Sequence, residues 1–426
     1  MTSTASSAGS ARPDAVARPP VPCVQPLPQP LYATCPNDIS FPWRHPVSWK
    51  SSRSHLPTTV GAVTAALLTL ASPAQAASAG DHTDTLAALR TFQAAAGPGA
   101  GVYAGDSAGS WNLSTGTGVI NTHTPIAPSD HYRIGSQTKT FTAAVVLQLV
   151  DEGRVLLDAP IERYLPGVVD GNGYDGNAIT VRQLLQHTSG IAAYEPLTDA
   201  PAANPDGSYS LGALVQQGLK HAPASKPGTA FLYSNTNYLI LGLLIEKTTG
   251  LPVHQAVTDR IIKPLDLTRT SFPAPGDRSL PAPAVHGYNG IRIGSFYFWH
   301  DVIGYDPSLF SSAGAMISSQ QDLTTFYQAL TAGKVVTPAT LAEMENTDTV
   351  GAPGSPLAYG LGLLRHNLPC GGVAWGHDGA IPGYYTETLV TTDGRHASVV
   401  TNAYLATNPP VQQMYSLLDT ALCEKP

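Results

Sequence analysis

The sequence of 426 residues has few charges, and basic residues are the scarcer kind. Charged residues make up 12% of the chain, about half of the ~25% that is usual for soluble domains. With 23 Lys and Arg against 30 Asp and Glu, the net charge is −7. The chain therefore offers no basic surface for a nucleic acid, and we expect no nucleic-acid partner.

Metal-binding and membrane-spanning patterns are also missing. The 13 histidines include no H-E-x-x-H pair, the signature of one class of zinc hydrolases, and we expect neither a metal nor a cofactor. The apolar run Val60–Leu70 is shorter than the ~20 residues that a membrane-spanning helix needs. Abundant instead are glycine (40) and proline (37), which indicate many turns and ordered loops.

The first 76 residues read as a targeting segment. Lys50 and Arg53 precede the apolar run, and Ala74-Gln75-Ala76 follows it with small residues where a signal peptidase cleaves. We predict a signal peptide over residues 47–76, cleavage near Ala76, and a secreted bacterial protein with no membrane span in its mature form. An uncleaved anchor is the alternative.

A signal fifty residues from Met1 is unusual, because targeting segments normally lie at the N-terminus. We therefore expect residues 1–46 to be disordered or a mis-assigned extension, with translation beginning at Val47, since a valine codon can serve as a bacterial start. The folded domain is expected over residues 81–424, as a monomer.

Four cysteines are present, and two of them lie in the segment to be removed. Cys370 and Cys423 remain as a pair in an oxidising compartment, which predicts one disulfide that ties the C-terminal segment to a late strand. Two separate buried thiols are the alternative.

Hydrophobic periodicity predicts strands near both ends of the mature chain and helices between them. Asp393-Gly394 is a strong hairpin signal between two of the late strands. We predict an α+β fold: an antiparallel sheet built from both termini and flanked by helices, with a mostly helical middle lobe. The predicted strands are Gly101–Ala104, Ser110–Leu113, Gly383–Thr391 and Ala397–Ala403, and the helices Thr83–Ala96, Phe141–Val150, Val181–Leu185, Leu211–Leu219, Tyr238–Thr248, Leu323–Leu330 and Val411–Leu422.

Two serine motifs compete for the role of nucleophile. Ser107 lies in a G-x-S-x-G pattern, which needs a helix after the serine, whereas the sequence continues as strand. In Ser136-Gln137-Thr138-Lys139, serine and lysine share one helical face at the start of a buried apolar helix. Burial lowers a lysine's pKa toward the value that a general base needs. A capping serine with a solvent-facing lysine is the alternative.

Two later motifs favour Ser136. Tyr233-Ser234-Asn235 stands where a loop enters an apolar helix, so that the phenol and the amide can project into a cleft. Gly376-His377-Asp378-Gly379 ends a predicted strand, and its glycines leave room for a substrate beside the backbone.

These residues resemble the active-site serine penicillin-recognising enzymes, in the D-alanyl-D-alanine carboxypeptidase and class C β-lactamase branch. The segment 133–139 looks like the first motif of that family, Tyr233-Ser234-Asn235 like the second, and His377-Asp378-Gly379 like the third. Segments 184–190 and 311–314 are similar too, and the likeness covers roughly residues 81–420. It implies a β-lactamase/transpeptidase-like fold.

The resemblance also implies roles for these residues. Ser136 would form an acyl-enzyme, with Lys139 and Tyr233 sharing proton transfer and either of them as the base. The backbone N–H groups of Ser136 and Ala380 would form the oxyanion hole. Asn235, His377 and Gly379 would hold the substrate.

Asp378 departs from the family pattern, in which threonine often helps to hold a terminal carboxylate. A carboxylate there repels another one unless a cation intervenes, and Arg365 is the candidate cation. An uncharged ester or amide, or a peptide with a free amine, is the alternative substrate.

The function predicted is a secreted serine D-alanyl-D-alanine carboxypeptidase or related D-peptidase acting on cell-wall-type peptides. A β-lactamase or esterase with the same chemistry, or a catalytically weak penicillin-binding sensor, are the alternatives. The partners expected are small peptide, ester or β-lactam substrates.

Overall fold

The structure, a computed structural model, describes residues 82–293, 296–350, 355–405 and 409–424. The predicted signal peptide, its cleavage site near Ala76 and the extension before Val47 lie outside these residues. Within the described ranges, no helix combines the length and the hydropathy that crossing a membrane requires.

The described chain contains runs of strands near both ends and a run of helices between them. The α-helices are α1 Thr83–Ala96, α2 Thr138–Asp151, α3 Val181–Leu185, α4 Leu211–Gly218, α5 Asn235–Thr249, α6 Val253–Val257, α7 Ser311–Gly314, α8 Gln320–Thr331, α9 Pro338–Met344 and α10 Val411–Cys423. The strands are β1 Gly99–Asp106, β2 Gly109–Gly116, β3 Tyr132–Arg133, β4 Asp170–Gly171, β5 Tyr174–Asp175, β6 Tyr288–Ile293, β7 Phe296–Asp301, β8 Ile317–Ser318, β9 Asp348–Thr349, β10 Leu357–Tyr359, β11 Leu364–Asn367, β12 Val373–Ile381, β13 Tyr384–Thr391, β14 His396–Thr401 and β15 Ala403–Leu405.

One antiparallel sheet joins the two ends of the domain. Its strand order is β2-β1-β14-β13-β12-β11-β10-β9, and Val102 of β1 lies opposite Val399 of β14. Strands β1 and β14, which are far apart in sequence, are therefore neighbours in the sheet. The predicted α+β fold, with a sheet built from both termini and flanked by helices, is confirmed.

The sheet is covered on both faces. Leu89 of α1 and Leu417 of α10 share a core cluster with Val399, while Phe326 of α8 shares the larger cluster with Val390. Fully burying one such side chain contributes about 1.5–3 kcal/mol. Helices α3 to α7 lie between the early and late strands in sequence, as the prediction of a helical middle lobe requires.

One strand prediction was wrong in its extent. The segment Ala397–Ala403 was expected to be continuous, but β14 ends at Thr401 and β15 begins at Ala403, where it pairs in parallel with β6. The side chain of Asn402, between them, accepts a hydrogen bond from the Gly99 amide at 2.8 Å. It also donates to the carbonyl oxygens of residues 117 and 118. A buried amide with these partners holds the break between the two sheets.

The predicted disulfide is confirmed between Cys370 and Cys423. It ties the end of α10 to the segment between β11 and β12, and 53 residues separate the two cysteines. Closing a loop of that size typically stabilises a fold by about 2–4 kcal/mol. The bond therefore holds the C-terminal helix against the sheet.

Candidate active site

Ser136 and Lys139 lie where a tight turn leads into the largely buried helix α2. Ser136 belongs to a 3₁₀ turn, Gly135–Gln137, and Lys139 to the first turn of α2. The apolar residues of α2 are buried nearly all round, as the sequence pattern indicates. Lys139 is fully buried, and its Nζ lies 2.9 Å from Ser136 Oγ.

The Lys139 amino group has a partner for each of its hydrogen-bonding positions. Its Nζ lies 2.8 Å from Asn235 Oδ1 and 2.8 Å from the carbonyl oxygen of Ala313. A neutral amine has two hydrogens and one lone pair; those two oxygens accept the hydrogens, which leaves the lone pair for the Ser136 hydroxyl. Burial lowers the pKa of Lys139 to about 7, although the charge of Asp378 opposes this shift. This geometry suits the roles predicted for Lys139 as a general base and for Ser136 as its nucleophile.

Tyr233 lies beside Lys139, with its ring facing the amino group and its buried hydroxyl without a hydrogen-bond partner among the described residues. The Nζ of Lys139 lies 4.8 Å from the centroid of its ring. Burial raises the pKa of Tyr233 well above its usual 10, and the charge of Asp378 adds to the rise, while the neighbouring Ser136 offsets part of it. At neutral pH the phenol is therefore protonated and able to donate.

His187 holds the Tyr233-Ser234-Asn235 segment in place. Its ring centroid lies 4.3 Å from that of Tyr233, and its Nδ1 accepts a hydrogen bond from the Ser234 amide at 3.2 Å. Burial lowers the pKa of His187 well below 6.5, and the charge of Lys139 adds to this effect. The imidazole is therefore neutral, as an accepting Nδ1 requires. Sequence reasoning included His187 only as part of the family-like segment 184–190.

His377 lies close to Tyr233, on strand β12. It is fully buried in β12, its ring centroid lies 6.4 Å from that of Tyr233, and its Nε2 lies 2.8 Å from the hydroxyl of Tyr359. Sequence reasoning missed Tyr359, because a lone tyrosine in a three-residue strand belongs to no motif. Tyr359 therefore contacts the candidate site through His377.

Glycines let β12 run against the Ser136 turn. A methyl group added to Gly379 would overlap the carbonyl oxygen of Ile134, and one added to Gly135 would lie 3.1 Å from the nitrogen of Ala380. Gly135 also has a φ of +52°, which favours glycine. The backbone of Ala380 is thereby held beside that of Ser136, where the oxyanion hole is predicted.

Replacing Gly135 by alanine is expected to lower kcat by roughly 10²–10³, the usual effect of losing one oxyanion donor. The added methyl group would push the Ala380 amide away from the Ser136 turn, while KM should change little. Steady-state kinetics with an amide substrate measure the effect. Gly153→Ala is the matched control, because Gly153 also has positive φ (+71°) but an added methyl group would meet open space. Equal losses in the two variants would contradict a role for the Ala380 contact.

Asp378 lies beside His377, and Arg365 lies on the neighbouring strand β11. Oδ1 of Asp378 lies 3.2 Å from Nδ1 of His377, and its side chain is 40% exposed. Partial burial would raise the pKa of Asp378, but the His377 imidazole and the Lys139 charge outweigh it and lower that pKa. Arg365 of β11 lies opposite Trp375 in the register. Among the ion pairs of the described residues, none joins Arg365 to Asp378, and its role in binding stays a prediction.

The rival serine lies elsewhere in the fold. Ser107 and Ala108 form the turn between β1 and β2, which pair directly through Asp106 and Gly109. A strand follows the serine, whereas the G-x-S-x-G elbow requires a helix there. The absence of the helical context, expected from the sequence, is confirmed.

Comparison with known proteins finds a family likeness over most of the chain. Residues 85–417 match the family described as Beta-lactamase. A D-stereospecific amidohydrolase from a Streptomyces species is 39% identical, with 82% of this chain and 100% of that chain covered and a TM-score of 0.72. The D-amino acid amidase of Ochrobactrum anthropi SV3 is 25% identical, with 80% and 98% covered and a TM-score of 0.69.

Curated relatives are matched over a smaller part of their length. The "Protein flp" of Staphylococcus aureus is 32% identical over 182 residues, which is 42% of this chain and 32% of that protein. The chain thus spans about a third of the length of this relative.

Proposed function

Because the chain belongs to the beta-lactamase family of serine hydrolases, we propose that it hydrolyses amide bonds of D-amino-acid residues that carry a free amino group. The observation that carries this proposal is Asp378: a partly exposed carboxylate within electrostatic reach of Lys139. The likeness to a D-stereospecific amidohydrolase over its full length supports the choice of D-residues and amides.

In the proposed acylation step, Ser136 Oγ attacks the carbonyl carbon and its proton passes to the Lys139 amine. Lys139 is the better base, since its pKa is about 7 while that of Tyr233 is far higher. The N–H groups of Ser136 and Ala380 stabilise the tetrahedral oxyanion. Tyr233 then donates a proton to the leaving amine and is reprotonated from Lys139.

The deacylation step uses the same groups in the same order. A water molecule attacks the acyl carbonyl, loses its proton to Lys139, and the bond to Ser136 Oγ breaks with return of a proton to the serine. Asn235, whose Oδ1 contacts Lys139, has its amide nitrogen left for the substrate carbonyl or side chain.

Asp378 would select the charge of the substrate. A carboxylate beside the reacting bond attracts the ammonium group of a free amino acid amide and repels a terminal carboxylate. This argues against the D-alanyl-D-alanine carboxypeptidase predicted from the family pattern. That activity is the second candidate, and Arg365, on the neighbouring strand, is the residue that favours it.

The Asp378→Asn variant tests this function with D-phenylalaninamide and its N-acetyl derivative. We expect the natural protein to prefer the free amine, and the variant to lose about tenfold to 100-fold of this preference, because hydrogen bonds to charged groups are worth ~1.5–3 kcal/mol. The ratio of the two kcat/KM values is the measurement. The exposed Asp170→Asn is the matched control. Preference for an acetylated peptide ending in D-alanine would overturn the proposal in favour of carboxypeptidase.

We also propose that the protein is exported before it acts. The Cys370–Cys423 disulfide supports this, because such bonds persist in oxidising compartments. Expression of the full chain in a secreting bacterium should release a protein whose first residue is Ala77, read by N-terminal sequencing. Retention of residues 19–30 in the released protein would contradict the predicted leader.

A further inference from the structure

A second cleft lies away from Ser136, where the β1–β2 hairpin and β14 face α8. Its volume is about 490 Å³, and every side chain lining it carries a polar atom. It shares no residue with the catalytic group described above. Ligand pockets are usually lined mainly by apolar side chains, so a cleft of this composition is suited to a hydrated, polar ligand.

The floor of the cleft is a row of residues across three strands. Gly105 of β1 pairs with Ser110 of β2 on one side and with His396 of β14 on the other. Because neighbouring strands lie ~4.8 Å apart, Ser110 and His396 are two strand spacings from each other. Gly105, which lies between them, has no side chain, and the Nε2 of His396 lies 2.9 Å from Ser110 Oγ.

The opposite wall is a polar stripe on α8. Gln321, Thr324, Thr325 and Gln328 line the cleft, and their i, i+3, i+4, i+7 spacing puts them on one helical face. The amide nitrogen of Gln328 lies 3.3 Å from Nδ1 of His396. Hydroxyl and amide groups thus face each other across the gap.

The charges of the lining restrict the class of ligand. No lysine or arginine lines the cleft, so it offers no cation for an anionic ligand, and Asp106 is the lone carboxylate. That carboxylate already accepts a hydrogen bond from the Ala108 amide at 2.7 Å. No cluster of three candidate metal ligands occurs among the described residues. Burial lowers the pKa of His396, so its ring is neutral at pH 7.

A neutral ligand rich in hydroxyl groups meets all of these conditions. Its hydroxyls can donate to the threonine hydroxyls, which themselves donate to carbonyl oxygens of α8, and can donate to and accept from the serine and glutamine side chains. Tyr103, which lines the cleft with its ring centroid 5.6 Å from that of His396, supplies an aromatic surface for a sugar ring. We propose that the cleft between the β1–β2 hairpin and α8 binds a neutral saccharide of one or two rings.

Saturation-transfer NMR on the full chain tests the proposal with two probes, maltose and N,N′-diacetylchitobiose. We expect millimolar binding of at least one of them, weakened at least tenfold in Gln328→Ala and in Tyr103→Ala and unchanged in Gln412→Ala. Gln412 is the matched control because it is exposed on α10, which packs on the opposite face of the sheet. Amide hydrolysis at Ser136 should be the same in all three variants, so the outcome does not depend on the proposed function.

Three results would overturn the saccharide site. The first is that neither sugar binds. The second is that a sugar binds equally well to Gln328→Ala and Tyr103→Ala. The third is that glycylglycinamide binds more strongly than either sugar. If Tyr103→Ala lowers the thermal unfolding temperature strongly, the exposed Gln328→Ala decides alone.

Discussion

Replacing Ser136 by alanine is expected to lower kcat for D-phenylalaninamide by roughly 10³–10⁶, because loss of a nucleophile removes the covalent route and leaves only binding and the oxyanion hole. The side chain removed is one oxygen atom, and its contact is the Lys139 amine at 2.9 Å. Substrate binding should therefore persist. Mass spectrometry after incubation with a slowly hydrolysed ester should show an acyl adduct on the natural protein and none on the variant.

Ser107→Ala is the matched control for this experiment. It removes the same hydroxyl group from an exposed turn between β1 and β2. Because Ser107 does not contact Lys139, this variant should retain full activity. An active Ser136→Ala variant together with an inactive Ser107→Ala variant would overturn the assignment of the nucleophile.

Local patterns predicted the helices best. The helix Thr83–Ala96 was predicted with its observed bounds. Its apolar stripe indicates the buried face of the helix, and the glycine that follows indicates its end. Helix α5 was predicted to begin at Tyr238, but it begins at Asn235. The apolar run identifies only the interior of a helix, and its first turn is polar because it borders the site.

The parts of the site that depend on strand pairing could not be predicted. Serine and lysine three residues apart on a helix must be neighbours, so the Ser136–Lys139 contact follows from local geometry. Tyr359 meets His377 only because β10, β11 and β12 lie side by side, and no local pattern specifies that order. The same limit applies to Asn402, whose partners lie some 300 residues away in sequence.

The dependence of activity on pH should identify the base. With N-acetyl-D-phenylalaninamide, which has no titrating amine, we expect kcat/KM to rise about tenfold per pH unit below pH 7 and to level off above it, because only the neutral amine of Lys139 can accept the Ser136 proton and its pKa is about 7. Activity rises with pH because Lys139 is protonated at low pH and cannot then accept a proton. Tyr233 as the base would place the rise far higher, since its pKa is raised well above 10. A pH series of kcat/KM from pH 5 to 10 measures the midpoint.

Two variants connect that midpoint to Lys139. Lys139→Arg keeps a positive charge but cannot lose its proton in this range, so activity should fall by roughly 10²–10⁴ at every pH. Asp378→Asn removes the carboxylate that raises the pKa of Lys139, so the rise in kcat/KM should move to lower pH. If the residual kcat/KM of Lys139→Arg still rose with a midpoint near pH 7, the group that titrates would not be Lys139. A midpoint that moves upward in Asp378→Asn would contradict the electrostatic coupling between the two residues, because loss of a nearby negative charge can only make a buried ammonium easier to deprotonate.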